Sequence, residues 1–198
     1  MLAEANRPRD LRDPSLGRAL RFIHSAGELE LDIGCGFGHF LVRDAEAFSQ
    51  KLFIGVDVSS ERVRVINRAL ETLAIENAIG LQDEAVNFLR SHVPEWRVST
   101  IHVYFPTPNP SGHYTQSRLI DRAFAAEVHR VLVPGGCIRI VTDHDQYFRE
   151  IRQAFSGADW WRLEWGTPSS GAWLVNTSYE WLYRSLGHRI YAAHFVRL

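Results

Sequence analysis

The sequence predicts an α/β fold: a doubly wound, mostly parallel sheet of seven strands with helices on both faces and an antiparallel strand at the C-terminus. Three observations predict it. Strand-like and helix-like segments alternate along most of the chain, a glycine-rich turn closes the first strand and opens a helix, and acidic residues recur where successive strands end. Strands joined through helices pair in parallel and need cover on both faces. At 198 residues the chain is long enough for one domain with a full core.

Residues 1–27 are expected to form a polar leader and a short helix, and residues 28–198 the main domain. In PSLGRALRFIHS (14–25), Pro14 sits near the start while Leu16, Leu20 and Ile23 recur at helical spacing. Next come strand ELELDIG, helix HFLVRDAEAFS, strand KLFIGVDV, and helix SSERVRVINRALETLAI with Ser59 or Ser60 as its cap. Strand AIGLQD, helix DEAVNFLRSH, strand STIHVYF, helix SRLIDRAFAAEVHRVL, strand CIRIVTD and helix DHDQYFREIRQAF repeat the pattern. The final third holds two strand-like runs, WWRLEW and IYAAHFVRL. Between them lies TSYEWLYRSLG, read as a short helix stopping at Gly187, so the ending is expected to be a β-hairpin with an insertion. No internal repeat suggests a second domain.

Composition narrows the function classes. With 45% hydrophobic and 23% charged residues the chain is an ordinary globular protein, and no apolar run is long enough to span a bilayer. The charged first residues, MLAEANRPRDLRDP, lack the apolar stretch of a secretory signal, so a cytoplasmic location is expected. A net charge of −1 argues against indiscriminate grip on nucleic acid, although Arg7, Arg9, Arg12, Arg18 and Arg21 crowd the start. The two cysteines, Cys35 and Cys137, read as free thiols, and the nine histidines show no metal-ligand spacing. Monomer and homodimer both remain open.

The segment Asp32-Ile33-Gly34-Cys35-Gly36-Phe37-Gly38 is the most informative. Alternate glycines permit a tight turn and close approach of a ligand, and the helix behind it presents unpaired N–H groups. A dinucleotide site would want a small residue at position 39, where His39 stands, and its pyrophosphate would be repelled by Asp32. An NAD-dependent oxidoreductase is therefore disfavoured. S-adenosylmethionine, which carries an ammonium and a sulfonium, would be attracted by that carboxylate. Asp57, beside Val58, ends the second strand where a carboxylate can accept from ribose hydroxyls, and Asp83 or Glu84 ends the third, within reach of an adenine amino group. Each acid could equally serve as a helix cap.

On four stretches the chain resembles the tRNA (guanine-N7)-methyltransferase family: LDIGCGFGHFL with FIGVDV, FPTPNPSGHYTQSRL, PGGCIRIVTDHDQYF, and NTSYEWLYRSLGHRIYAAHFVR. Phe105, Pro106, Pro108, Arg118, Thr142, Asp143, Tyr147, Thr177, Glu180, Gly187 and His188 fall on matching positions. Thr107 stands where the family has aspartate and Asn109 where it has tryptophan. Ser111 and His113 replace basic residues, and Ser178 and Leu182 replace lysine and arginine. The resemblance implies S-adenosylmethionine as cofactor, with Phe105 joining the glycine turn and the strand-end acids. It implies tRNA as partner, with Pro106, Pro108, Asn109, His113, Arg118, Thr142, Thr177 and Tyr179 on the substrate side. Asp143 and Glu180, helped by the hydroxyl of Thr107, are the expected catalytic groups. Loss of several cations should weaken phosphate contact. A scaffold turned toward a small planar heterocycle is thus the alternative, and a non-catalytic cofactor-binding protein a further one. Trp160, Trp161, Trp165, Trp173, Tyr179, Trp181 and Tyr183 could stack on a base or pack in the core. Because guanine N7 carries an in-plane lone pair, its methylation needs positioning rather than a general base, a contribution of roughly 7–11 kcal/mol in intramolecular systems.

Overall fold

The computed structural model describes residues 14–108, 118–156, 161–164 and 178–198. Seven strands form one sheet in the order β3-β2-β1-β4-β5-β7-β6. They are β1 (Leu29–Ile33), β2 (Leu52–Asp57), β3 (Ala78–Gln82), β4 (Val98–Tyr104), β5 (Leu132–Thr142), β6 (Trp161–Glu164) and β7 (Tyr191–Arg197). The first five pair in parallel, β7 runs antiparallel to β5, and β6 runs antiparallel to β7. The chain steps outward from β1 to β3 and then returns to lay β4 against the other side of β1. That reversal is the switch point at which open α/β sheets bind ligands.

Side-chain alternation on the strands sets two layers. Leu31, Ile33, Ile54, Val56, Ile101, Val103, Ile138 and Ile140 belong to one buried cluster with residues of α1 (Pro14–Ile23), α4 (Ala85–His92), α5 (Arg122–Val131) and α6 (Asp145–Ala154). On the opposite face Phe53 and Ala78 pack with Leu41 and Ala45 of α2 (His39–Ala47) and with Ile66 and Leu70 of α3 (Ser60–Thr72). In the centre of that second face the intervening positions are polar: Glu30 and Asp32 on β1, and His102 on β4, are all buried. The outer strand β3 is capped along its edge by a side chain. Asn67 of α3 donates to the Gly80 carbonyl at 3.0 Å and accepts its N–H at 2.8 Å, standing in for a neighbouring strand.

Caps account for where the helices differ from the periodicity. Of the two candidate serines, Ser59 is the cap of α3, its hydroxyl accepting from the Arg62 N–H. The helix expected from Ser117 starts only at Arg122, because Asp121 caps it through the Phe124 N–H at 2.8 Å. The first helix stops at Ile23 rather than Ser25. Arg97, ahead of β4, draws off its last carbonyls, donating to the oxygens of Ile23 at 2.5 Å, Phe22 at 2.8 Å and Gly27 at 2.9 Å. β5 begins earlier than expected, at Leu132, with a shift of register between Val98 and Thr100 on its partner. The helix read from TSYEWLYRSLG is α7 (Ser178–Ser185), closed by Gly187 in the left-handed region.

Arg97 ties α1 to the sheet with a charged donor shared among three carbonyls, of which that of Phe22 also accepts from Ser25. Arg97→Ala should therefore cost about 2–4 kcal/mol of stability, read as a lower urea midpoint at unchanged slope. A loss below about 0.5 kcal/mol would mean that water satisfies the end of α1 equally well.

Candidate functional site

The turn after β1 is strapped to the end of β2. The N–H groups of Gly34 and Cys35 both donate to the Val56 carbonyl, at 2.8 and 3.2 Å, and the Gly38 N–H donates back to Cys35 at 2.9 Å. Two of its glycines have distinct reasons to be glycine. Gly36 takes φ 56°, and a Cβ there would meet nothing within 4 Å, so its bare backbone faces open space. Gly38 takes φ 74°, and a Cβ there would lie 2.6 Å from Ile66. The first is open to a ligand and the second is a packing contact.

Four acids lie around this turn. Asp57 is buried, and its carboxylate accepts from the Gly36 N–H at 3.0 Å and the Ser59 N–H at 2.9 Å, with Arg62 at 3.6 Å. Arg62 also lies over the ring of Phe37, whose own ring is about half exposed. Asp83 is buried too, taking the Glu84 N–H at 2.8 Å and the Asn87 side-chain amide at 3.0 Å. Glu84 caps α4 with both carboxylate oxygens, on the N–H groups of Val86 and Asn87. Its cap role is thus filled, although it stays on the cavity wall. Asp32 differs from all of these. It is only 4% exposed, burial first and the charges of Asp44 and Asp57 second push its carboxyl up to about 8, and it faces a cavity. Cys35 beside it is likewise pushed up by burial and by Asp32, which keeps its thiol protonated and unreactive. Both cysteines are free.

Two cavities meet at the carboxyl ends of β1, β2 and β4. The smaller, about 300 Å³, is lined by Asp32, Gly34, Cys35, Gly36 and Phe37 with Phe40, Tyr104, Phe105 and Leu182. The larger, about 610 Å³, takes in Asp57, Val58, Arg62, Asp83 and Glu84 on one side and Thr107, Pro108, Arg118, Asp143 and Tyr183 on the other. Gly34, Gly36, Tyr104 and Phe105 line both. Together these volumes suit a ligand of nucleoside size with a second planar group alongside.

Opposite the turn, Phe105 has φ 51°, a conformation that a bulky residue adopts only under constraint; its N–H is held by the Val141 carbonyl at 2.7 Å. Pro106, Thr107 and Pro108 continue the wall. Tyr183 packs between Phe105 and His188, with ring centroids at 5.4 and 5.2 Å, and His188 lies 3.4 Å from the Asp143 carboxylate. Arg118 pairs with Glu150 and lies over the ring of Tyr147, whose hydroxyl accepts the Ile120 N–H.

The sequence-derived residues thus divide. Asp32, Gly34, Cys35, Gly36, Phe37, Asp57, Val58, Asp83, Glu84 and Phe105 come together around the cavities, as do Thr107, Pro106, Pro108, Arg118 and Asp143. Gly38 supports the turn from behind. Thr142 is fully buried at the end of β5, where its hydroxyl accepts the His144 N–H, and Glu180 is buried on α7 with Arg184 at 2.8–2.9 Å; neither lines a cavity. Asn109, His113, Thr177 and the side chain of Tyr179 lie outside the described residues. Of the aromatic residues weighed for stacking, Trp161 packs against Phe155, Tyr183 joins the wall and Trp181 is 78% exposed.

Sequence reasoning missed a buried polar chain beneath the junction. The His102 ring contacts Glu30 at 2.8 Å and the Tyr104 hydroxyl at 2.6 Å, and Lys51 reaches Glu30 at 2.6 Å. A signal for it existed: Glu30 with Asp32, and His102 with Tyr104, are polar residues two apart inside otherwise apolar strands, which places them on one face. The residues present fit S-adenosylmethionine. A buried carboxylate without a described hydrogen-bond donor faces a cavity, a side-chain-free backbone stands open at Gly36, and a second carboxylate waits at the end of β2.

Comparison with known proteins agrees. Residues 27–193 match a family described as "Putative methyltransferase". A tRNA (guanine-N(7)-)-methyltransferase of Geobacter metallireducens is 33% identical over 68% of this chain and 64% of its own length. That of Rubrobacter xylanophilus is 28% identical over 85% and 76%, and that of Chloroflexus aggregans 32% identical over 83% and 69%. Among solved structures, a 30S ribosomal A1408 methyltransferase from an uncultured bacterium superposes with TM-score 0.63 at 16% identity, covering 97% of this chain and 96% of that one. A Streptococcus mutans methyltransferase in complex with SAH gives 0.58 at 12%, covering 96% and 100%. These two establish the fold, whereas the sequence relatives establish the family. The chain belongs to the tRNA (guanine-N7)-methyltransferase family and is an S-adenosylmethionine-dependent methyltransferase of Rossmann-like fold.

Proposed function

We propose that this protein transfers a methyl group to N7 of a guanine in tRNA, in the cytoplasm. One observation carries the reading: the cavity at Asp32 opens, through Tyr104 and Phe105, onto a larger lobe with Asp57 and Asp83 on one side and Thr107, Pro108 and Asp143 on the other, so that a donor spanning both lobes would lie beside an acceptor wall. The donor supplies an electrophilic methyl on sulfur. Asp32 would hold its cationic end, the Gly34–Gly38 turn its backbone-facing edge, Asp57 its sugar and Asp83 its base. On the substrate side Asp143 is the carboxylate at hand for the N–H edge of guanine, and Thr107 offers a hydroxyl where the family has a charge. Such groups hold the acceptor in place and balance the positive charge that N7-methylation leaves on it. No proton has to leave the ring. Glu180, bound to Arg184 away from the cavities, acts by fixing α7, which carries Tyr183 to the wall.

A small planar heterocycle is the second reading, and a specific feature favours it. Among the described residues, the two arginines lining the larger cavity are engaged: Arg62 lies 3.6 Å from Asp57, and Arg118 pairs with Glu150. A polyanion would find little free positive charge there. Incubation with labelled S-adenosylmethionine and unmodified tRNA, followed by nucleoside analysis, decides between them. 7-Methylguanosine is expected; labelled cofactor bound without any labelled nucleoside would give the site to the smaller substrate.

Two glycine variants test the turn. Gly36→Val should fold, at a cost of about 1–3 kcal/mol for the left-handed conformation, yet lose S-adenosylmethionine binding in calorimetry. Gly38→Ala should instead lower the melting temperature through its clash with Ile66. Unchanged affinity in the first variant would remove the turn from the site.

Cofactor binding should also be linked to pH through Asp32. Since its folded-state carboxyl is raised to about 8, the ligand-free site is protonated at neutral pH. A cationic ligand selects the carboxylate, so its affinity should rise between pH 6 and 8, by up to about tenfold per pH unit. The sign for stability is opposite: unfolding returns the group to an ordinary carboxyl, and the ligand-free protein should lose stability as pH climbs from about 4 toward 8. Asp32→Asn should flatten both profiles. A flat affinity profile in the unmutated protein would show that Asp32 does not meet the ligand's charge.

A further inference from the structure

The chain Lys51–Glu30–His102–Tyr104 crosses the sheet from the start of β2 to the cavity junction, and nothing in methyl transfer to a ring nitrogen calls for it. Its hydrogen-bond directions can be worked out from what each group can do. Lys51 can only donate, and it lies 2.6 Å from Glu30 and 3.0 Å from Glu28. Held by Lys51 and His102 against the cost of burial, Glu30 sits at about 2 and is an acceptor only. His102 must then donate from Nε2 to Glu30. The ring is 1% exposed and covered by Phe40 at 4.5 Å, and burial keeps it neutral despite the carboxylate, so Nδ1 carries a lone pair. Among the described residues the Tyr104 hydroxyl is the donor that meets that lone pair, at 2.6 Å.

The consequence falls on the tyrosine. With its proton committed to His102, the phenol oxygen has only lone pairs to offer elsewhere. It stays a phenol, because burial and the charges of Asp32, Asp44 and Glu30 push its ionisation well above the usual range, against a lesser pull from Arg139. Tyr104 lines both cavities, the one with Asp32 and the one with Asp57 and Asp83. In S-adenosylmethionine the sulfonium joins the amino-acid end to the nucleoside. A group shared by the two lobes is therefore placed to meet that joint.

We infer that Tyr104 is a positioning residue for the methyl donor, its phenol O–H turned toward His102 and an oxygen lone pair facing the sulfonium, and that His102 and Glu30 act through it by fixing the direction of its hydrogen bond. The inference rests on S-adenosylmethionine being the cofactor. It assigns a role to residues that the substrate-side reading leaves unused, and it concerns the donor alone, whatever the acceptor is.

The test compares S-adenosylmethionine with S-adenosylhomocysteine, which keeps the ammonium, carboxylate and nucleoside but lacks the sulfonium charge. Binding is measured by calorimetry, with circular dichroism as the check on folding. In Tyr104→Phe, affinity for S-adenosylmethionine should fall roughly three- to tenfold while that for S-adenosylhomocysteine changes less than twofold. Glu30→Gln is the second variant and touches no ligand. A glutamine N–H can donate to His102 Nε2, which moves the ring proton to Nδ1, turns the Tyr104 hydroxyl toward the cavity, and should reproduce the same selective loss. A purely structural role would weaken both ligands alike, so equal losses, or none, overturn the inference. If the unmutated protein bound neither ligand, the cofactor assignment itself would fall and this inference with it.

Discussion

The structure depends on burying a carboxylate at the one place in the sheet where the strand order reverses. Asp32, next to last on β1, lies between Gly55 on β2 and His102 on β4, 4% exposed and without a described donor. Such a placement is unfavourable for a folded chain by itself, since an unpaired buried acid must either give up its charge or meet a partner. The raised carboxyl shows that it gives up the charge. Around it, Gly55 makes room for the Cys35 and Leu41 side chains, and the turn to Gly38 and the ring of Phe40 line the cavity that Asp32 faces. The site stores, in the fold, an electrostatic vacancy of the sign that a sulfonium amino acid fills.

The neighbouring polar chain solves a different problem on the same face. Glu30 and His102 are as buried as Asp32, yet Lys51 and Tyr104 complete their hydrogen bonding. Two acids two residues apart on one strand are therefore held in opposite states. Glu30 is ionised, and Asp32 is protonated at neutral pH. Charge partners decide the difference, since burial acts on both in the same direction.

Much of this was legible in the sequence because it is local. The alternation of strands and helices, the turn from Gly34 to Gly38 and the acids at strand ends each depend on residues within a few positions of one another. The boundaries that moved were set by long-range partners. Arg97 ends α1 from 74 residues away, and no local pattern encodes that. Glu84 and Asp83 look interchangeable in sequence, but only the backbone shows that Glu84 spends both oxygens on α4 while Asp83 turns inward. The Glu30–His102 contact spans 72 residues and becomes visible only once β4 is known to lie beside β1. Thr142 and Glu180 match the family's pattern by position, and the folded chain buries both behind the walls of the two cavities.

The two sides of the site carry different constraints. On the donor side, as proposed, the fixed chemistry of the ligand would be met by glycine backbone, buried carboxylates and a phenol oxygen along two adjoining cavities. On the acceptor side the wall is built from Phe105, Pro106, Thr107 and Pro108, a segment whose shape is imposed by two prolines and a left-handed phenylalanine rather than by charge. Under the proposed function such a wall would recognise a flat ring by contact and orientation. The phosphates of a large substrate would then be gripped, if at all, by cations remote from the reacting base, and binding the base and binding the polyanion become separable properties of the molecule.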